Sequence, residues 1–255
     1  MSDYMILTIT ETDHIAYHRF LGNTPGIIFL AGHGSDMDGS KALHLEKWAR
    51  TNGQAFLRFD YRGHGKSSGS IDSTNISDWT EDVITAIDEL SEGPQILVGS
   101  SLGGWLMLNA ALARPKRVVS LVGVAAAPDF TEDLIWAELN ASQRSYMQSE
   151  GRIVLPNPYA DEPVVYPYHL VEDGRNHLRL RSNLNINLPI RLLHGMQDAE
   201  VPWQTAVRIA ECTVGNDVRL HLVKDAGHRF SEPKQLALLE QVTSGLIADF
   251  ISQKV

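Results

Sequence analysis

A serine, an aspartate and a histidine stand in this chain where nucleophilic chemistry would need them. Ser101 is the centre of Gly99-Ser100-Ser101-Leu102-Gly103, a Gly-x-Ser-x-Gly segment set between the apolar run Gln95 to Val98 and the apolar stretch Leu102 to Ala113. A strand that turns so abruptly into a helix strains the central residue and pushes its hydroxyl into the open. That hydroxyl is a weak nucleophile near neutral pH and needs a base to take its proton during attack, most often a histidine. His228, in Asp225-Ala226-Gly227-His228-Arg229, follows the strand-like run Val218 to Val223, and Asp198, in His194-Gly195-Met196-Gln197-Asp198, follows Ile190 to Leu193. Each of the three has a plain reading by itself: a turn, a helix N-cap, a tolerated histidine. Together, in the order Ser, Asp, His and each beyond the carboxyl end of a strand, where open α/β sheets build their sites, they point to Ser-His-Asp acyl chemistry.

The elements that must position them alternate along the chain. Residues 5–10 and 14–20 read as short amphipathic strands, and Ile27 to Ala31 as a strand buried on both faces. Lys41 to Arg50 has helical apolar spacing, Ala55 to Phe59 is strand-like, and Asp78 to Leu90 carries one apolar stripe with Ser77 as its N-cap. Strand Val118 to Val124, helix Trp203 to Glu211 and a terminal helix Pro233 to Ser252 complete the pattern. Strands alternating with helices require right-handed crossovers and a parallel sheet. The alternation stops from Asp129 to Leu188, a stretch of helical pieces around Pro156, Pro158, Pro163 and Pro167, which reads as an insertion. The expected organisation is a core of residues 1–128 and 189–255 with residues 129–188 as a lid.

Composition narrows the chemistry further. The 255 residues hold 22 Lys plus Arg against 31 Asp plus Glu, a formal charge of −9, which excludes a nucleic-acid binder held by phosphate neutralisation. The one membrane-length uncharged run, Gly93 to Ala113, is broken by glycines and a proline, so no membrane span is expected. A single cysteine, Cys212, gives no internal disulfide and no thiolate cage. His33 and His194 lack a His-x-x-x-His pairing, so neither a metal nor any cofactor is expected. Gly63-His64-Gly65 lacks the Gly-Lys-Ser/Thr ending of a phosphate loop and reads as a structural turn. No basic segment followed by an apolar stretch opens the chain, and together with the lone cysteine this suggests a cytoplasmic location.

The chain resembles the α/β-hydrolase superfamily over nearly its whole length outside the insertion. The resemblance implies a mostly parallel eight-stranded sheet flanked by helices. More closely, Ala31 to Ala42, Arg58 to Gly65, Gly99 to Trp105 and Ala127-Pro128-Asp129-Phe130-Thr131 resemble the tenth αβ-hydrolase-domain group, which includes mitochondrial acyl-protein thioesterases that also cleave acyl glucuronides, and bacterial relatives. The resemblance implies backbone donors to an oxyanion at Leu102, the residue after the nucleophile, and at His33, in the loop after the third strand. Ser101 excludes the epoxide hydrolases and haloalkane dehalogenases of this fold, which attack with a carboxylate.

The expected function is therefore hydrolysis of a small-molecule carboxylic ester or thioester through an acyl-enzyme on Ser101. The alternatives are a non-catalytic receptor on the same scaffold, or acyl transfer to an alcohol or peroxide. Candidate substrate contacts are Gly34, Trp105, Trp136 and Met196. In the insertion, Leu134, Ile135, Trp136, Leu139 and Met147 fall at helical spacing that suits either a lining for an acyl chain or plain packing. Arg175 and His177 are candidates for holding a substrate carboxylate. Acyl length, leaving group and oligomeric state do not follow from the residues.

Overall fold

The computed structural model describes residues 4–156 and 163–253. Its centre is one eight-stranded sheet in the spatial order β1-β2-β4-β3-β5-β6-β9-β10, built from β1 (Met5–Thr8), β2 (His14–Phe20), β3 (Asn23–Leu30), β4 (Gln54–Phe59), β5 (Gln95–Ser100), β6 (Val118–Val124), β9 (Ile190–Gly195) and β10 (Val218–Val223). β2 runs antiparallel to β1 and β4, and every pairing from β4 through to β10 is parallel. The crossovers are α1 (Ser40–Thr51), α2 (Ile76–Glu89), α3 (Leu102–Ala113) and α6 (Gln204–Cys212), and α7 (Pro233–Ser252) closes the chain.

The central strands are buried throughout, and with no solvent face they read as continuous apolar runs, Ile96-Leu97-Val98 in β5 and Leu121-Val122 in β6. Helix α3 is apolar on all sides because it lies wholly inside, with Leu102 through Ala111 buried. Helix α2 starts one residue pair before the sequence suggests. Its N-cap is Asn75, whose side chain accepts from the Asp78 N–H while the Asp78 carboxylate accepts from the Asn75 N–H. Ser77 is thereby free to bond elsewhere, as described below.

Between β6 and β9 the chain makes its excursion. It contains a π-helical turn Thr131–Trp136, α4 (Ala141–Glu150), a hairpin of β7 (Arg152–Leu155) and β8 (Val164–Pro167), and α5 (Tyr168–Gly174) followed by the 3-10 turn Arg175–His177. The hairpin departs from the expected all-helical reading. Ile153 points inward at 4% exposure and Val154 outward at 51%, the period-2 pattern of a strand, but a run of four residues is too short to declare it in sequence. Pro158, part of the proline-rich stretch, lies outside the described residues. Leu139, Met147, Ile153 and Val171 form a small core of their own, with Trp136 and Tyr168 packed against it, while Ile135 joins the main core. These apolar residues thus pack among themselves rather than line an open channel.

Candidate active site

The turn from β5 into α3 places Ser101 at φ 52°, ψ −116°, a conformation costly for a non-glycine residue. The sharpness depends on its glycine neighbours. A Cβ at Gly99 would lie 2.2 Å from the Gly103 carbonyl oxygen, and one at Gly103 would lie 2.2 Å from the Leu30 carbonyl oxygen, so only glycine lets the elbow close against β3. The Ser101 hydroxyl emerges at the carboxyl edge of the sheet. There its Oγ lies 3.1 Å from His228 Nε2, and His228 Nδ1 lies 2.8 Å from Asp198 Oδ2. Three residues from three separate loops thus form one continuous hydrogen-bonded chain.

Asp198 is held from several sides. Its Oδ1 accepts the N–H groups of Glu200 and Val201, both at 2.9 Å, in an Asx turn, and its Oδ2 accepts from His228 and lies 3.1 Å from His194 Nε2. Burial opposes ionisation here, yet the His194 and His228 donors and the Val201 N–H outweigh it and hold the carboxyl well below the usual carboxylate range. The acceptors around His194 Nε2, Asp198 Oδ2 and the Val201 carbonyl oxygen at 2.9 Å, require that nitrogen to carry the proton. Likewise the Asp198 carboxylate sets the proton of His228 on Nδ1, leaving Nε2 to accept from the serine.

The loop after β3 runs beside Ser101: a Cβ placed at Gly32 would come 3.4 Å from the Ser101 Cβ. Within this loop the Gly34 N–H donates to His64 Nε2 at 3.1 Å, whereas among the described residues the N–H groups of His33 and Leu102 have no protein acceptor. Leu102 is the first residue of α3, where no intrahelical acceptor exists. The His33 imidazole is enclosed by aromatic rings, with Tyr166 of β8 stacked at 5.8 Å and Trp79 edge-on at 5.6 Å. Burial first, and the neighbouring His64 second, push its pKa down to about 3; burial lowers His64 to about 4 against the pull of the Arg62 carbonyl. Both rings are neutral at physiological pH, and the lone pair on His64 Nε2 is what fixes Gly34 in place. The turn Gly63-His64-Gly65 is structural, as its sequence suggests, but its partner lies thirty residues away and only the fold brings them together.

The remaining sequence candidates separate. Trp105 is fully buried, donates its Nε1–H to the His177 carbonyl oxygen at 2.9 Å and packs edge-on against Phe130, so it has no surface left for a ligand. Trp136 is flanked by the guanidinium groups of Arg175 at 4.8 Å and Arg144 at 5.5 Å and by Tyr168 at 5.6 Å. Arg175 is also paired with Glu132 at 2.7 Å, which occupies the cation expected to bind a substrate carboxylate. His177 Nε2 lies 2.7 Å from the Ser77 Oγ, which in turn donates to Asp173 at 2.6 Å, a tie between the excursion and the start of α2. Gly34 and Met196 remain exposed on the rim, Met196 at 42%. Among the described residues no group of three His, Cys, Asp or Glu side chains is placed to hold a metal ion, and no helix is long and apolar enough to cross a membrane.

Comparison with known proteins places this geometry in a lineage. The alpha/beta hydrolase family matches residues 27–237. The chain belongs to the alpha/beta hydrolase family. It is 41% identical over 242 residues to the mitochondrial palmitoyl-protein thioesterase ABHD10 of Bos taurus, covering 94% of this chain and 79% of that protein, and 42% identical over 238 residues to its Homo sapiens counterpart, covering 93% and 78%. The solved structure of mouse alpha/beta hydrolase domain-containing protein 10 superposes with a TM-score of 0.92 at 39% identity, covering 98% of this chain and all of that one. This alpha/beta hydrolase is thus similar in fold and length of match to named thioesterases. The relatives overturn the cytoplasmic expectation, since they are mitochondrial by name. A lone cysteine speaks to redox conditions and not to the compartment, and that inference carried more than its physics allowed.

Proposed function

We propose that this alpha/beta hydrolase cleaves thioesters and carboxylic esters through an acyl-enzyme on Ser101. The observation that carries the proposal is the single imidazole of His228 spanning the Ser101 hydroxyl at 3.1 Å and the Asp198 carboxylate at 2.8 Å. As the Ser101 oxygen attacks the acyl carbon, its proton passes to His228 Nε2, and the imidazolium so formed is stabilised by Asp198 across Nδ1. The carbonyl oxygen becomes an oxyanion received by the N–H groups of His33 and Leu102, which stand unengaged beside Ser101. Return of the proton from Nε2 to the leaving sulfur or oxygen releases the thiol or alcohol, and a water activated at the same nitrogen then hydrolyses the acyl-serine.

The acyl substrate is a thioester of a long-chain acid, a reading supported by the relatives named palmitoyl-protein thioesterase. The insertion of residues 129–188 acts as a lid on the core of 1–128 and 189–255, a reading supported by Tyr166, which stacks on His33 beside the site. Its test is direct: Ser101→Ala abolishes hydrolysis of p-nitrophenyl acyl esters and of an S-acyl cysteine peptide while the circular dichroism spectrum is unchanged, and a fluorophosphonate labels the unmodified protein at Ser101 but not the variant. Turnover retained in Ser101→Ala removes the proposal.

A further inference from the structure

Among the described residues, Glu200 is a charged side chain at the site that the hydrolytic relay leaves without a task. It belongs to the Asx turn that presents Asp198, and its own N–H is used there. Its Oε2 lies 3.8 Å from His228 Nε2, the nitrogen that must hand a proton to the departing group, while its Oε1 is buried with no hydrogen-bond partner. An unpaired carboxylate oxygen held out of water is costly and gains most from a donor brought by a ligand. The geometry fixes which part of the ligand that is. A leaving atom accepting from Nε2 sits about 3 Å from it, so that atom and Oε2, itself 3.8 Å from Nε2, are no more than about 7 Å apart. The acyl chain lies on the far side of the reacting carbon.

The groups around it leave Oε1 without a hydrogen-bond donor. Asp198, on the same loop, is itself a buried carboxylate already saturated by donors. From β8, Tyr166 faces Glu200 as a neutral phenol whose pKa is raised, by burial first and by the Glu200 charge second. The His33 ring stacked on Tyr166 is neutral, and Lys41, on the other side of the His228 loop, has its Nζ on the Arg229 carbonyl oxygen at 2.5 Å. Arg175, the cation suggested for a substrate carboxylate, is paired with Glu132. The leaving-group side therefore presents a carboxylate and no uncommitted cation among those named.

We propose that Glu200 is a specificity-determining residue for the leaving group, selecting, among acyl thioesters of a peptidyl cysteine, those whose neighbouring residues supply N–H or cationic donors over those whose neighbouring residues carry a carboxylate. This deepens the thioesterase reading and rests on it. A unit charge about 6 Å away, in a site open enough for an effective dielectric constant of about 40, changes the balance by roughly tenfold in rate for each charge on the leaving group.

The test uses two S-octanoyl peptides identical but for a lysine or a glutamate beside the acylated cysteine, assayed at pH 8 and low ionic strength with the unmodified protein, Glu200→Gln and Glu200→Asp. The quantity read is the ratio of kcat/KM for the lysine peptide to that for the glutamate peptide, so that a general loss of activity in a variant cancels. The expected ratio is at least about ten in the unmodified protein, falls to within twofold of unity in Glu200→Gln, and returns in Glu200→Asp. It also shrinks as salt is raised. A ratio in Glu200→Gln equal to that of the unmodified protein overturns the assignment of Glu200, while continued hydrolysis and fluorophosphonate labelling of Ser101 in the same samples leave the thioesterase reading standing. If the unmodified protein hydrolyses neither peptide and is not labelled, the thioesterase reading fails, and the role of Glu200 falls with it.

Discussion

A single amide in place of the Asp198 carboxylate would test the relay at its most sensitive atom. Asp198→Asn keeps an oxygen for the N–H groups of Glu200 and Val201 but turns a donor toward His228, so the imidazole flips its proton to Nε2 and no longer accepts from Ser101. We expect kcat to fall by about 10³–10⁴-fold with the fold intact; a loss of less than tenfold in steady-state assays would speak against the relay. The glycines of the elbow are as exacting for a steric reason. Gly103→Ala drives a Cβ to within 2.2 Å of backbone at Leu30, and the urea midpoint should drop by the equivalent of about 1–3 kcal/mol or more. An unchanged midpoint would mean that the elbow has slack. Both residues belong to patterns visible in the sequence, because a strand-to-helix turn and an Asx turn are local structures. What the side chains of Glu200 and His64 face follows from no local pattern: the His228 imidazole and the Gly34 N–H lie 28 and 30 positions away.

Among the elements, the excursion between β6 and β9 is where sequence and structure part most. It is attached through apolar residues that join the main core, Phe130, Ile135, Leu170 and Leu180 among them, and through a set of polar ties. Asp129, at φ 62° and fully buried, accepts the N–H groups of Arg179 and Leu180 at 2.6 and 2.9 Å and so closes the base of the excursion. Asp173 accepts both the N–H and the hydroxyl of Ser77, and His177 completes the tie. Asp173→Ala removes two of these bonds, about 2–3 kcal/mol for charge-assisted partners. Because α5 divides its buried residues between Leu170 in the main core and Val171 in the small cluster, the loss should appear as local opening: amide hydrogen exchange across residues 165–177 accelerates by at least about tenfold, with β5 and β6 unaffected. Uniform acceleration across the sheet would show instead that the excursion and core open as one unit. The helical spacing of Leu139 and Met147 was legible, but whether they faced a ligand or one another depended on the hairpin beside them, and they pack with Ile153 and Val171.

For the molecule as a whole, buried neutral histidines make acid the destabilising direction. His33 and His64 have folded pKa values of about 3 and about 4 against 6.5 when unfolded, chiefly through burial, and His18, His177 and His221 are lowered in the same sense by the same cause. The unfolded chain therefore binds more protons in this window, so their contribution is intact above pH 6.5 and is lost as pH falls toward 4. For His64 alone this amounts to about 3 kcal/mol. Asp82 works oppositely: burial raises its pKa to about 6, and it regains stability as it protonates below that value. Asp60 and Asp129, whose carboxyls burial also raises, act in the same sense as Asp82, but the five histidines outnumber the three carboxyls, so Tm should fall steadily from pH 7 to pH 4.5, and His64→Phe should show a shallower slope, read by calorimetry across that range. A slope in His64→Phe equal to that of the unmodified protein would mean that His64 does not titrate on unfolding.

Periodicity, turn chemistry and the order of Ser101, Asp198 and His228 determined the parallel sheet, the elbow and which three residues would come together, because each is written in short-range patterns whose spacing the backbone itself imposes. Val118–Val124, Val218–Val223 and Pro233–Ser252 stand where their apolar runs put them. Only the tertiary structure decided that Trp105 is walled in, that Arg175 is spent on Glu132, that His64 pins Gly34, and that Glu200 lies 3.8 Å from His228 Nε2. These are contacts between loops distant in sequence. Their energies depend on burial and on which partner arrives first at a shared atom, and neither is set until the sheet has brought its strand ends together.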